Sequence, residues 1–191
     1  MKVFEGIDDK LAAWIGAQQL FFVGTAPSGD GGHVNVSPKG PIESLRIAGP
    51  HEVAYLDHLG SGSETIAHLR DNGRICVMLC AFQGPPRIVR LHGRGTVHQV
   101  GTPGFAAAAE RLGFDAGPGS RSIISVAVER VADSCGYDVP LMEPAGRRPQ
   151  RQDWQEVQVR KHGEAALNDY IRASNAASID GLPAVDVGLV P

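Results

Sequence analysis

The chain has 191 residues, 42% of them hydrophobic, and a formal net charge of −3; that length suits one domain that buries roughly two thirds of its unfolded surface without staples. With no net positive charge to neutralise a polyphosphate backbone, nucleic acid is an unsuitable partner, and no apolar run approaches the roughly 20 residues that span a bilayer. The 24 glycines and 13 prolines predict many turns and short strands rather than a helical bundle.

The opening Met1-Lys2-Val3-Phe4-Glu5-Gly6 lacks an apolar signal core, so a cytoplasmic protein is expected. Asp8 is placed to cap a helix over 9–18, in which Leu11, Trp14, Ile15 and Gln18 follow helical spacing. Residues 20–25 form a short apolar run, and the turn composition of 27–32 leads into a strand over 33–37. Strands follow over 52–56, 74–80 and 87–98, with a helix over 64–70 between the first two. Thr102 followed by Pro103 is a strong start for a helix ending at Leu112, and Gly113 is placed to stop it. The alternation over 123–131 reads as a further strand, with Ile124, Val126 and Val128 on one side. Six strands with tight turns predict a mainly β protein, an antiparallel barrel with helices over its ends.

From 140 to 151 the composition shifts to proline, glycine and arginine, and a helical segment follows over 152–174 with a break expected at Gly163. That segment is too thin in apolar residues to fold alone. Residues 1–140 therefore read as the barrel domain. Residues 141–191 read as a linker, helix and tail that dock on the barrel or on a partner subunit.

The three cysteines argue against a disulfide framework. Cys76 and Cys80 on one strand sit about 13 Å apart, beyond disulfide reach, and Cys135 reads first as a small buried residue. The seven histidines show no helical pair and no dense cluster, so no metal site is expected. No Gly-x-Ser-x-Gly elbow joins a strand to a long helix, which sets aside serine hydrolase chemistry.

Two features are suited to gripping a phosphate. Ser37-Pro38-Lys39-Gly40 ends one strand in a mobile point charge, and Gly60-Ser61-Gly62-Ser63 feeds the N-terminus of the helix at Glu64 with its unpaired N–H groups and positive dipole end. Ser61 and Glu64 also have the spacing of a capping box, which would explain the loop without any ligand.

The ordered set of residues 34–40, 71–77 and 87–93 resembles the pyridoxamine 5'-phosphate oxidase-like family of flavin-binding split barrels, over about 20–131. The resemblance implies a six-stranded antiparallel split β-barrel, FMN as cofactor, a homodimer, and an oxidoreductase that takes electrons from a reduced nicotinamide or a small organic substrate. It also implies the site residues. Ser63, Glu64 and Thr65, with Lys39, lie at the phosphate; Asn35, Val36 and Ser37 border the flavin ring; Cys135 and Tyr137 cover the flavin or line the substrate pocket.

The chain departs from the family pattern at three places. Many relatives carry Ser-Arg-Lys where Ser63-Glu64-Thr65 stands, so the phosphate charge must be met by Lys39, by Arg74 or Arg121, or by main-chain donors. Ile88 replaces a family glutamine. Cys135-Gly136-Tyr137-Asp138-Val139-Pro140 replaces the arginine-rich ending of true pyridoxamine phosphate oxidases, which speaks against a vitamin B6 substrate. A non-catalytic binder or carrier of flavin, deazaflavin F420 or haem is the alternative on the same fold.

Overall fold

The computed structural model describes all residues, 1–191. Its strands are β1 (Lys2–Phe4), β2 (Phe21–Thr25), β3 (Asn35–Lys39), β4 (Leu45–Gly49), β5 (Glu52–His58), β6 (Arg74–Cys80), β7 (Ile88–Gln99) and β8 (Ser120–Ser134). Its helices are α1 (Asp9–Gly16), α2 (Glu64–Asn72), α3 (Pro103–Leu112), α4 (Gln150–His162) and α5 (Ala166–Ser174). The strands form one antiparallel sheet in the order β3-β2-β6-β7-β8-β5-β4, with β1 added on β8.

β3 and β4 are neighbours in the chain yet lie at opposite edges of this sheet. The sheet must therefore curl. It closes through side chains rather than a backbone ladder: Phe21 of β2 meets Tyr55 of β5 edge to face at 5.4 Å between ring centroids, and Lys39 of β3 reaches Asp57 of β5 at 2.9 Å. A β-bulge at His92/Gly93 helps β7 bend against β8.

Alternation places the core. Val53 and Tyr55 point into the barrel and join a cluster of 26 buried residues, while Ala54 and Leu56 face outward under α3 with Ala108, Leu112, Phe114 and Ile123. β5 is thus covered on both faces. The same parity puts Asp57 on the inner side with Tyr55, where a carboxylate needs partners.

The caps form as their residue types require. The Asp8 carboxylate accepts the Leu11 N–H at 2.7 Å, and Thr102 Oγ1 accepts the Phe105 N–H at 3.2 Å, with Pro103 in the first turn and Gly113 at φ +63° ending α3. The helical region after 150 divides at Gly163, φ +88°. α4 buries no residue of its own, but its Trp154 ring meets Tyr170 of α5 at 5.0 Å. Leu167 and Ile171 of α5, with Ala184, Val185 and Val190 of the tail, enter the main core.

Two strands lie outside the sequence reading, β1 and β4. Both are short and carry charged residues, and both exist because a neighbour supplies their ladder: Lys2 pairs opposite Asp133 and Leu45 opposite Tyr55. No helix is long and apolar enough to cross a membrane.

Candidate functional site

Asn35, Ser37 and Lys39 alternate along β3, and all three are half-buried while Val36 and Pro38 face solvent. The inward row divides between two polar clusters. In the first, Asn35 Nδ2 donates to Thr25 Oγ1 and to Thr65 Oγ1, each at 3.0 Å. Its Oδ1 accepts the Ser37 hydroxyl at 2.8 Å, and Thr25 Oγ1 lies 3.0 Å from His68 Nδ1. Three of the expected site residues, Asn35, Ser37 and Thr65, are therefore locked to one another between β3 and the first turn of α2.

The second cluster is built around Asp57. Lys39 Nζ donates to its Oδ1 at 2.9 Å, and Arg121 contacts Oδ2 through Nε at 2.9 Å and NH2 at 2.8 Å. Ser122 Oγ stands 3.3 Å from the same oxygen. Asp57 and Arg121 are 2% and 3% exposed, so this is an ion pair held out of water. Burial works to raise the Asp57 pKa, but the charges and hydrogen bonds of Arg121 and Lys39 prevail and hold it at about 2.

The second cluster borders a groove of about 390 Å³, within the range of small-molecule sites at roughly 300–1,000 Å³; the first reaches it only through Ser37, and Asn35, Val36, Ser63 and Thr65 are not in its lining. Gly60, Ser61 and Gly62 form one wall, Lys39 another, and Arg151 of α4 lies at the lining with the Glu64 side chain. Only two of the lining residues are hydrophobic. Such a polar wall suits an anionic or hydroxylated ligand segment better than a flat aromatic ring.

The capping box expected between Ser61 and Glu64 does not form. The N-cap of α2 is Ser63, and no side chain caps this helix; the Ser63 hydroxyl donates instead to the Ala177 carbonyl at 2.9 Å. The Glu64 carboxylate folds back over Gly62, where a Cβ would sit 2.3 Å from its Oε2. The tail takes the Ser63 hydroxyl, so no side chain occupies the first-turn N–H groups, and of the first-turn residues Glu64 lines the groove.

Arg121 joins Lys39 in the groove lining, but its NH1 donates to Gly62 O at 2.8 Å and to Asn175 Oδ1 at 2.9 Å in addition to its Asp57 bonds. Its guanidinium is a strut more than a free clamp. Arg74 is not at the groove; it bonds Asn72 and the Pro27 carbonyl. Cys135 and Tyr137 are both exposed, Tyr137 at 78%, which overturns the reading of Cys135 as a small buried residue. They follow the far end of the 15-residue β8 from Arg121, and neither lines the groove.

Asp57, His58, Arg151 and Asn175 belong to the site without having been picked from the sequence as ligand-binding residues. Asp57 had a signal: a carboxylate in phase with Val53 and Tyr55 at the end of an apolar strand must be paired. Asn175 had none. His58 lines the groove with a buried Nδ1 that has no protein partner. Burial, reinforced by the Arg151 charge, lowers its pKa to about 4. A proton is then bound by the unfolded chain and not by the folded one as pH falls from 6.5 toward 4, so this group withdraws stability on acidification. The His58 ring resonances are expected to stay flat in an NMR titration between about pH 5 and 8; a midpoint near neutrality would contradict this environment.

A curled antiparallel sheet, closed by side chains and carrying an anion-suited groove at its split edge, defines a split-barrel protein. The sequence profile described as Pyridoxamine 5'-phosphate oxidase matches residues 7–135. The pyridoxamine 5'-phosphate oxidase family protein ustO of Aspergillus flavus is 40% identical over 190 residues, covering 94% of this chain and 76% of that protein. The chain belongs to the pyridoxamine 5'-phosphate oxidase family. Among solved structures, a HupZ variant of Group A Streptococcus is similar in fold, with a TM-score of 0.50 at 21% identity over 67% of this chain and 99% of that one. An FMN-binding protein from Syntrophomonas wolfei gives a TM-score of 0.44 at 14% identity, over 62% and 80% of the two chains.

Proposed function

We propose that this protein is a homodimeric FMN-dependent oxidoreductase that holds the FMN phosphate in the groove between Lys39 and the Gly60–Gly62 loop. The observation that carries the reading is the meeting, at one groove, of a lysine on β3 with a helix whose first turn has no side-chain cap. Main-chain donors and one ammonium are a sufficient anion site. The lining carries three cationic side chains, Lys39, Arg121 and Arg151, against the carboxylates of Asp57 and Glu64, which leaves a positive balance for a phosphate.

The donor set therefore suits the anionic end of FMN, and the shortage of apolar lining supports a reading in which the ring packs against the partner subunit. Bound flavin supplies hydride transfer at its N5. The chain's own residues bind and orient: Asp57 holds Lys39 in place, and the Asn35 network holds Ser37 and Thr65. Val36 on the outer face of β3, and Cys135 and Tyr137 at the far end of β8, contribute only across a subunit interface. Family membership supports the flavin, and the substrate is a reduced nicotinamide or a small organic molecule.

The test is a visible spectrum of purified protein with and without added FMN, followed by NADH or NADPH. Yellow protein that bleaches and recolours in air is expected. Bound flavin indifferent to every reductant leaves a carrier in place of an oxidoreductase, and protein that takes up no FMN overturns the reading. Lys39→Ala is expected to weaken FMN retention by about tenfold, the usual scale for a hydrogen bond to a charged group; unchanged affinity removes Lys39 from the site.

A further inference from the structure

The matched part of the chain ends at residue 135, yet the groove is braced from beyond it. Asn175, at the end of α5, is 0% exposed, and its amide joins two parts of the site: Oδ1 accepts Arg121 NH1 at 2.9 Å, and Nδ2 donates to Gly60 O at 2.9 Å. Two residues later, the Ala177 carbonyl accepts the Ser63 hydroxyl at 2.9 Å. The bonds to Gly60 and Ser63 tie both ends of the Gly60–Ser63 loop to one short segment of the tail. The second of these also explains why Ser63 leaves the first turn of α2 uncapped.

We propose that Asn175 is a positioning residue for the anion site, through which the C-terminal segment sets the preference for a phosphorylated over an unphosphorylated ligand. The inference rests on the FMN reading above and adds to it a residue that touches no ligand. Within the loop the Ser63 hydroxyl is taken by the tail, and Gly60 and Gly62 have no side chains with which to fix the main-chain donors, glycine having more backbone freedom than any other residue. Asn175 supplies the missing restraint. It holds the Gly60 carbonyl from one side and, through Arg121, the Gly62 carbonyl from the other, so the intervening N–H groups are preorganised. Removing the amide leaves the Gly60 carbonyl and one Arg121 N–H without their partner and frees the loop.

The experiment compares dissociation constants for FMN and for riboflavin, which share the ring and differ in the phosphate, in wild type, Asn175→Ala and Val190→Ala. Val190 is a buried tail residue that belongs to the main core. Wild-type protein that binds neither ligand defeats the FMN reading itself, and the inference falls with it. With that reading intact, Asn175→Ala is expected to lose about tenfold in FMN affinity, the scale of a lost hydrogen bond to a charged group, with riboflavin affinity unchanged. Val190→Ala is expected to lower the melting temperature and keep the FMN-to-riboflavin ratio of wild type. Equal losses for both ligands in Asn175→Ala, or no loss for FMN, overturn the proposal. If Asn175→Ala does not fold, the neutral and similarly sized Asn175→Leu is read in its place: it removes the donor to Gly60 and the acceptor for Arg121 without adding charge, and is expected to show the same loss of preference.

Discussion

Asp57→Ala is expected to lower the melting temperature by about 10 °C or more. The substitution leaves Arg121, 3% exposed, with its guanidinium buried and its countercharge gone, and stranding one partner of a buried ion pair costs about 3–5 kcal/mol. In a domain of this size each kcal/mol moves the transition by about 2–4 °C. Lys39 loses its anchor as well, so FMN retention should fall together with stability. Because the cost arises from the uncompensated charge, Asp57→Leu combined with Arg121→Met should recover much of the loss. A melting temperature for Asp57→Ala within a degree or two of wild type would show that water reaches the cluster.

The acid limb of stability follows from the same group. The folded Asp57 carboxyl titrates at about 2 against an ordinary value of 3.8. A folded value below the unfolded one stabilises the protein fully above about pH 4, and that contribution is lost as pH falls through about 2. It amounts to roughly 2 kcal/mol. Asp57→Asn should flatten this part of a urea-unfolding pH profile, since the group that titrates is gone.

Gly93→Ala is the second large effect, expected to cost about 3 kcal/mol or more and to leave little folded protein at physiological temperature. A Cβ at this position would lie 2.0 Å from the Ala127 carbonyl oxygen and 3.0 Å from Val128 Cα. Those are main-chain atoms of β8 at the bulge where it pairs with β7, so neither side can give way without opening the longest ladder in the sheet. Gly104→Ala is the matched control. It lies in the first turn of α3, and its nearest contact for a Cβ is His98 Nδ1 at 3.6 Å, so it should be neutral or stabilising by up to about 1 kcal/mol. Equal melting temperatures for the two variants would mean that the bulge relaxes.

Much of the fold was legible because its signals are local. Asp8 and Thr102 announce their helices, Gly113 and Gly163 end theirs, and the parity of Ile124, Val126 and Val128 declares the inner face of β8. β1 and β4 escaped because three to five residues with charges among them carry no periodic signal, and only pairing across the sheet makes them strands. The site divided in the same way. Lys39, Ser63 and Thr65 were visible as a strand-end cation and a small-residue loop before a helix, but the capping box from Ser61 to Glu64 fails because the helix starts at Glu64 with Ser63 as its N-cap, and the Ser63 hydroxyl is taken by a tail more than a hundred residues away.

What the sequence determined by itself is the set of elements and the chemistry offered at their ends: hydrophobic period and capping residues act over a few positions, so they can be read without coordinates. Tertiary structure alone decided which charges meet. Lys39, Asp57 and Arg121 come from three strands and Asn175 from the end of α5, and a buried carboxylate takes its partners from whichever elements the curl of the sheet brings within about 3 Å.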